Sequence, residues 1–359
     1  MSMRSSKGYG SYRGKGGVRT VLKVLIAILL IVLILVAVGF FMLEKYQVFD
    51  SDGMHLELPF LHREEPSAPP EPEVTLPVVL PPATPSPTPA PEVQILHAAA
   101  LPRSALYDGT AQALVTAKGA NAAVFDMKAD DGSLGYISNL ELAKAVGASA
   151  SDPALNAAIQ GLNGGDLYTV ARVSCFKDNL TPYKKPELGL KSPYGNWRDG
   201  GGLRWMSPAV DEARQYVADV CRELAALGFD EILLDNSGFP TGDKVGSIVQ
   251  GAVYDPDKFS AVITGFYDQV RAALADYPDV TLSIMGTESA VADGADALTG
   301  QTLASLVQAG RVWLPEGGRS VSDYQAILSA AGMDSAGAAV LVRAEAGAAD
   351  ESWAVLTQE

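Results

Sequence analysis

Residues Gly228 to Pro240 read GFDEILLDNSGFP, and this stretch decides the fold. Gly228 stops a helix. Glu231 to Asp235 follow as a short strand whose apolar run, Ile232, Leu233 and Leu234, suits burial on both faces, as in a parallel sheet. The strand ends on a carboxylate, Asp235, and opens into a loop of Asn236, Ser237, Gly238 and Pro240. A helix, a continuous apolar strand and an acid at the strand's C-terminal end are how an α/β barrel builds a site.

The pattern repeats on both sides. Before it, strands are predicted at Val93–Ala99, Ala122–Lys128 and Leu167–Phe176, with helices at Ala111–Lys118 and from Asp152–Pro153 to Gln160. A long loop, 177–206, leads to a helix capped by Ser207, with Pro208 in its first turn. Its apolar face is Val210, Ala213, Val217, Val220, Cys221, Leu224 and Leu227. After the central stretch, strands at Val280–Gly286, Arg311–Leu314 and Ala338–Arg343 alternate with helices from Asp255, Thr302 and Ser322. Strict alternation gives a parallel sheet with right-handed crossovers. Seven strands are clear, and only Trp353–Leu356 remains for an eighth. The expected fold is a (β/α)8 TIM barrel over 93–359, short at its C-terminal end or slightly open. An open doubly wound sheet is second, because no Gly-rich phosphate fingerprint follows the first strand.

The N-terminal part is of another kind. Residues 1–23 hold six basic residues and no acid, so against a whole-chain charge of −15 the remainder carries −21. Residues 24–43 are uncharged and rich in Leu, Ile and Val, long enough to span a bilayer core of about 30 Å. The run is longer than a signal peptide's apolar region and lacks its cleavage site. Basic residues precede it and Glu44 follows, which places a cytoplasmic tail at 1–23, a single membrane helix at 24–43 and the rest outside the cell. Residues 44–92 form a linker. Eleven prolines between Pro66 and Pro91 exclude a packed core there. At about 3.1 Å per residue in polyproline geometry, the Pro-rich part reaches roughly 90 Å. The acidic outer domain argues against DNA, RNA and anionic polymers as ligands.

The strand ends supply the candidate chemistry. They carry Asp126, Lys128, Asp130 and Asp131, then Lys177 and Asp178, then Asp235, Glu288, Glu316 and Glu345. Carboxyls at one rim could supply an acid and a base, as glycoside hydrolysis requires. Asp235 is the candidate nucleophile or base, and Glu288 or Glu316 the candidate acid. The long loop adds Tyr183, Tyr194, Trp197 and Trp205. Flat aromatics among polar groups suit sugar rings, although at least one tryptophan is expected to pack the loop onto the barrel. His97 is the only histidine of the barrel region, so no His-based metal cluster is expected, and no cofactor. Cys175 and Cys221 could meet between strand and helix; two buried thiols are expected rather than a disulfide.

In chain order, NAAVFDMKADDG at 121–132, ARVSCFKD at 171–178, PELGL at 186–190, WRD at 197–199, Trp205 with Pro208, and GFDEILLDNSGFP form an ordered set. On it, residues 93–345 resemble the bacterial putative glycoside hydrolase domain, a family expected to be TIM barrels. The resemblance implies Asp235 as the strand-end carboxylate, with Asp126, Lys128, Arg172, Lys177, Asp178 and Asp199 on the same rim. It also leads one to expect a tyrosine and an arginine where Asn236 and Gly238 stand, and an acid near Met285. Three functions follow: an extracellular hydrolase of a cell-envelope or extracellular polysaccharide, a glycan-binding module on the same scaffold, or an envelope scaffold without a sugar site.

Overall fold

The computed structural model describes residues 95–333 and 337–357, together with the backbone of Gln47–Asp50 and Gly53–Leu56. Those two short strands, within the span read as linker, pair antiparallel with each other. The run at 24–43 lies outside the described residues; among these, no helix is long and apolar enough to cross a membrane.

Eight parallel strands close into a barrel: His97–Ala100 (β1), Ala122–Lys128 (β2), Tyr168–Ser174 (β3), Glu231–Asp235 (β4), Thr281–Met285 (β5), Arg311–Pro315 (β6), Ala339–Arg343 (β7) and Trp353–Val355 (β8). Closure is the main departure from expectation. Trp353 pairs with His97 and Ala354 with Ala98, so the three-residue β8 suffices to join β7 to β1 and leaves no open edge. The helices between the strands include Ala111–Ala117 (α1), Glu141–Val146 (α2), Leu155–Asn163 (α3), Asp211–Ala226 (α4), Phe259–Ala273 (α5), Glu288–Ala292 (α6), Leu303–Leu306 (α7) and Val321–Ala330 (α8); α2 and α6 are not expected from the sequence.

Side-chain parity sorts the strands into two layers. Phe125, Ala171, Val173, Ile232, Leu234, Ile284, Val312, Leu314, Ala339 and Leu341 belong to the core shared with the helices. The opposite parity fills the barrel with Ala98, Val124, Val170, Leu233, Trp313, Val340 and Ala354. The α4 face is as predicted, with Ala213, Val217, Val220, Cys221 and Leu224 buried. Its start is not. Val210 occupies the N-cap position, while the Ser207 hydroxyl donates to the Val253 carbonyl (2.5 Å) and accepts from Ala209 N. Ser207 therefore ties the long loop down instead of capping the helix. Cys175 and Cys221 are buried free thiols, and burial pushes both up, Cys221 to about 12.

Candidate active site

The parity that lines the barrel with apolar groups puts Asp126, Arg172 and Asp235 on the inward side at the C-terminal ends of β2, β3 and β4. Asp126 is paired in register with Arg172. Arg172 joins the three strands. Its Nη1 donates to Asp126 Oδ1 (2.9 Å), its Nη2 to Asp130 Oδ1 (2.9 Å), and its Nε to Asp235 Oδ2 (2.8 Å). Burial works against the guanidinium charge, but Asp235, Asp126 and Asp130 outweigh it and raise its pKa further. Burial likewise opposes the charge on Asp130. The hydrogen bond from Lys177 (2.8 Å) and the charge of Arg172 win, holding Asp130 at about 2.

Beside this network lies a cleft of about 360 Å³, lined among others by Trp205, Asp235, Met285, Glu288, Gln301 and Pro315. Asp235 is aimed by the residue after it. Asn236 has φ +47° and is the one non-glycine with positive φ among the described residues, a conformation asparagine tolerates better than most. The turn brings Asn236 N to 2.7 Å from Asp235 Oδ1, and the Asn236 amide donates to Ser174 Oγ (3.0 Å). Both Asp235 oxygens are thus engaged, and Asp235 is among the residues that line the cleft.

Of the expected rim residues Asp235 lines the cleft, Asp126, Arg172, Lys177 and Asp199 lie outside its lining, and two, Lys128 and Asp178, leave the rim network altogether. A register shift between Asp126 and Lys128, a bulge of the kind that re-aims side chains, leaves Lys128 fully buried. Its ammonium pairs with Asp178 Oδ2 (2.9 Å) and donates to the Ser174 carbonyl (2.8 Å), and Asp178 is equally buried. Asp178 also accepts from Thr181 N and Oγ1. Gly132, at φ +92°, leaves room for that carboxylate, which any Cβ there would strike.

Within the long loop, Trp197 is buried and its Nε1 donates to the Lys244 carbonyl (3.0 Å) and Ser247 Oγ (3.1 Å). It is the tryptophan that packs the loop. Trp205 lines the cleft and donates to Asp199 Oδ2 (3.0 Å), and Lys177 lies 3.9 Å from the same oxygen. Glu288 heads α6 and accepts from Arg319 Nη1 (2.7 Å). Glu316 follows β6, is half exposed, and pairs with Arg343 Nε at 3.1 Å. The cleft lining includes Glu288 but not Glu316. Among the described residues no group of three or more His, Cys, Asp or Glu side chains is placed to hold a metal ion; Arg172 and Lys177 occupy the space between the rim carboxylates. His97 stacks on Trp353, with ring centroids 4.8 Å apart.

The profile of the putative glycosyl hydrolase domain matches residues 105–312, more than half of the chain. The chain belongs to that family. Its fold resembles a hypothetical protein from Ruminiclostridium thermocellum (29% identity over 53% of this chain and 96% of that one, TM-score 0.43). It also resembles the PgaB glycoside hydrolase domain from Bordetella bronchiseptica (15%, 69% and 84%, 0.44) and the Aspergillus fumigatus protein Ega3 in complex with galactosamine (14%, 69% and 75%, 0.37). No curated protein matches the sequence.

Two of the three departures from the expected family pattern have a backbone reason. At Gly238, where an arginine is expected, a Cβ would lie 2.8 Å from the Thr299 carbonyl oxygen, so the backbones pack too closely for a side chain. At Asn236 a side chain must accept the left-handed turn. Two rim residues escaped the sequence reading in their roles. Asp130 was visible as a strand-end acid, but not as the partner joining Arg172 to Lys177. Gln301, 2% exposed, stands in no motif and far from any predicted strand end.

Proposed function

We propose that this chain is a membrane-anchored, extracellular glycoside hydrolase in which Asp235 and Glu288 form the working pair. The observation that carries this reading is that Asp235, at the end of β4, and Glu288, three residues beyond the adjacent β5, line one cleft beside Trp205. Glu288, in its protonated form, donates its proton to the glycosidic oxygen as the bond to the anomeric carbon breaks. Asp235 either attacks that carbon or takes a proton from the attacking water, according to the separation of the two groups. Arg172 and the Asn236 N–H fix the Asp235 carboxylate in orientation. Trp205 supplies an apolar face for a sugar ring. Glu316 is the weaker candidate acid because Arg343 holds it outside the cleft lining.

The substrate is a neutral or basic polysaccharide of the cell envelope or the extracellular matrix. The rim network beside the cleft sets four carboxylates, Asp126, Asp130, Asp199 and Asp235, against two cations, Arg172 and Lys177, and Glu288 in the lining is balanced by Arg319, so an anionic polymer meets net repulsion. Residues 24–43 serve as the anchor, with the N-terminus cytoplasmic, and the prolines of 44–92 act as a stalk. The test is hydrolysis of a panel of neutral, amino and acidic polysaccharides. Asp235→Asn and Glu288→Gln should each lose at least about a thousandfold in kcat, whereas Glu316→Gln should keep it. Turnover undiminished in Asp235→Asn removes that residue from the reaction.

A second reading is a glycan-binding module without catalysis. It is favoured by the engagement of both Asp235 oxygens and by the Arg319 pairing of Glu288. It predicts sugar binding that survives Asp235→Asn but not Trp205→Ala, with no product formed by the unaltered protein.

A further inference from the structure

The cleft is built across two loops that share no secondary structure. One follows β4 and runs from Asp235 through Ser237. The other follows β5 and runs from Met285 to Thr287 and Glu288. One buried side chain hydrogen-bonds within both. Gln301 lies just before α7, and its amide nitrogen is 2.9 Å from the Met285 carbonyl oxygen and 2.9 Å from Tyr267 Oη, with Ser237 Oγ at 3.4 Å. Its amide oxygen accepts from Thr287 N (3.0 Å). The proton count closes. The two amide hydrogens go to Met285 and Tyr267, and the Tyr267 hydroxyl is then free to donate to Ser237 Oγ at 2.9 Å. Gln301, Ser237 and Tyr267 are all buried, so water does not compete for these bonds. Burial also pushes the Tyr267 phenol up, which keeps it a neutral donor.

The turn carrying Gln301 is itself fixed. Asp296 N donates to the Gln301 carbonyl (2.8 Å), and Phe239 N donates to the Thr299 carbonyl (2.9 Å). The β4 loop, the β5 loop and α5 thus meet on one amide group. Ser237 is two residues beyond Asp235, and Thr287 immediately precedes Glu288.

We propose that Gln301 is a positioning residue that sets the separation and mutual orientation of the Asp235 and Glu288 carboxyls, with Tyr267 and Ser237 as its relay to the β4 loop. This inference rests on the hydrolase reading for its kinetic consequence, though not for its geometric one. Gln301 borders the cleft, but its amide is spent on the two loops and on Tyr267, so it acts through them. A displacement of about 1 Å in a catalytic group can cost on the order of a hundredfold in rate, so a lost clamp is read in kcat rather than in KM.

The experiment compares the full-length protein with Gln301→Met, which keeps volume and removes all three amide bonds, and with Tyr267→Phe, which removes one hydroxyl. Turnover, melting temperature and a crystal structure are measured for each. Gln301→Met is expected to lower kcat by roughly ten- to a hundredfold with KM changed by less than about threefold. Tyr267→Phe should lower kcat in the same sense by a smaller factor, and the carboxyl separation should shift in the Gln301→Met crystal. A merely structural role would lower the melting temperature and leave kcat per folded molecule unchanged, and that result overturns the proposal. Should Gln301→Met fail to fold, an unaltered kcat in Tyr267→Phe overturns it equally. A wild type that hydrolyses nothing defeats the hydrolase reading. The crystal comparison then decides the clamp: carboxyls that shift uphold it, and carboxyls unmoved in both variants refute it.

Discussion

Strand β4 carries an acid at each end, and the two have opposite surroundings. Glu231, at the N-terminal end, has no exposure. It accepts from Tyr168 Oη (2.9 Å), Ser283 Oγ (2.5 Å), Trp313 Nε1 (3.0 Å) and Arg311 Nη1 (3.1 Å). Every lone pair is spoken for, and the barrel floor closes over it. Asp235, four residues on, sits at the rim, held by Arg172 Nε (2.8 Å) and Nη2 (2.6 Å) and by the Asn236 N–H, and it lines the cleft. The residue types are nearly the same and the parity is the same. What separates them is which end of the barrel they occupy: a packed floor makes an acid a structural anchor, and an open top leaves it able to work.

That contrast can be broken at its floor first. Glu231→Ala strands Arg311 and three neutral donors in a dry site, and removing one member of a buried pair costs about 3–5 kcal/mol. Urea unfolding should show that loss; a variant within 1 kcal/mol of wild type (roughly the worth of a surface pair) would mean the floor network is dispensable. The two tryptophans of the long loop sharpen the same division. Trp197→Ala removes a fully packed ring and should cost roughly 3 kcal/mol or more, with little direct effect on sugar binding per folded molecule. Trp205→Ala should cost less stability and weaken glycan binding about tenfold, near 1.4 kcal/mol, read by calorimetry. The smallest effect lies in the rim's pH response. Asp130 is held at about 2, below its ordinary 3.8. The sign is that of a depressed acid: its contribution is complete above pH 4 and disappears as pH falls toward 2. With solvent screening this amounts to about 1 kcal/mol. Lys177→Met, which removes the principal hydrogen bond, should flatten that part of the acid-unfolding curve, and an unchanged curve would dissociate Lys177 from Asp130.

Much of this was legible in the residues. GFDEILLD announces a buried parallel strand ending in an acid, and Glu231–Asp235 is that strand. Ala122–Lys128 is legible to the residue, because AAVFDMK is apolar on both faces. Closure of the barrel was not legible, since Trp353–Val355 is three residues long and a strand that short has no periodicity to read. The destination of Lys128 was hidden as well. Its parity with Asp126 points to the rim, and only the bulge between them sends it to Asp178. The choice between Trp197 and Trp205 depends on tertiary contacts with Lys244 and Ser247 that lie about fifty residues downstream. Gln301 is the clearest limit: a buried glutamine at a turn carries no local signature, and its partners come from three separate segments.

The most direct measurement pairs the two ends of β4. Turnover per folded molecule and melting temperature are determined for Asp235→Asn and Glu231→Gln on a polysaccharide the wild type cleaves. Asp235→Asn should lose at least about a thousandfold in kcat while melting within a few degrees of wild type. Glu231→Gln should melt well below wild type and turn over normally per folded molecule. Hydrolysis retained in Asp235→Asn, with the loss falling on Glu231→Gln instead, would contradict the assignment of floor and rim.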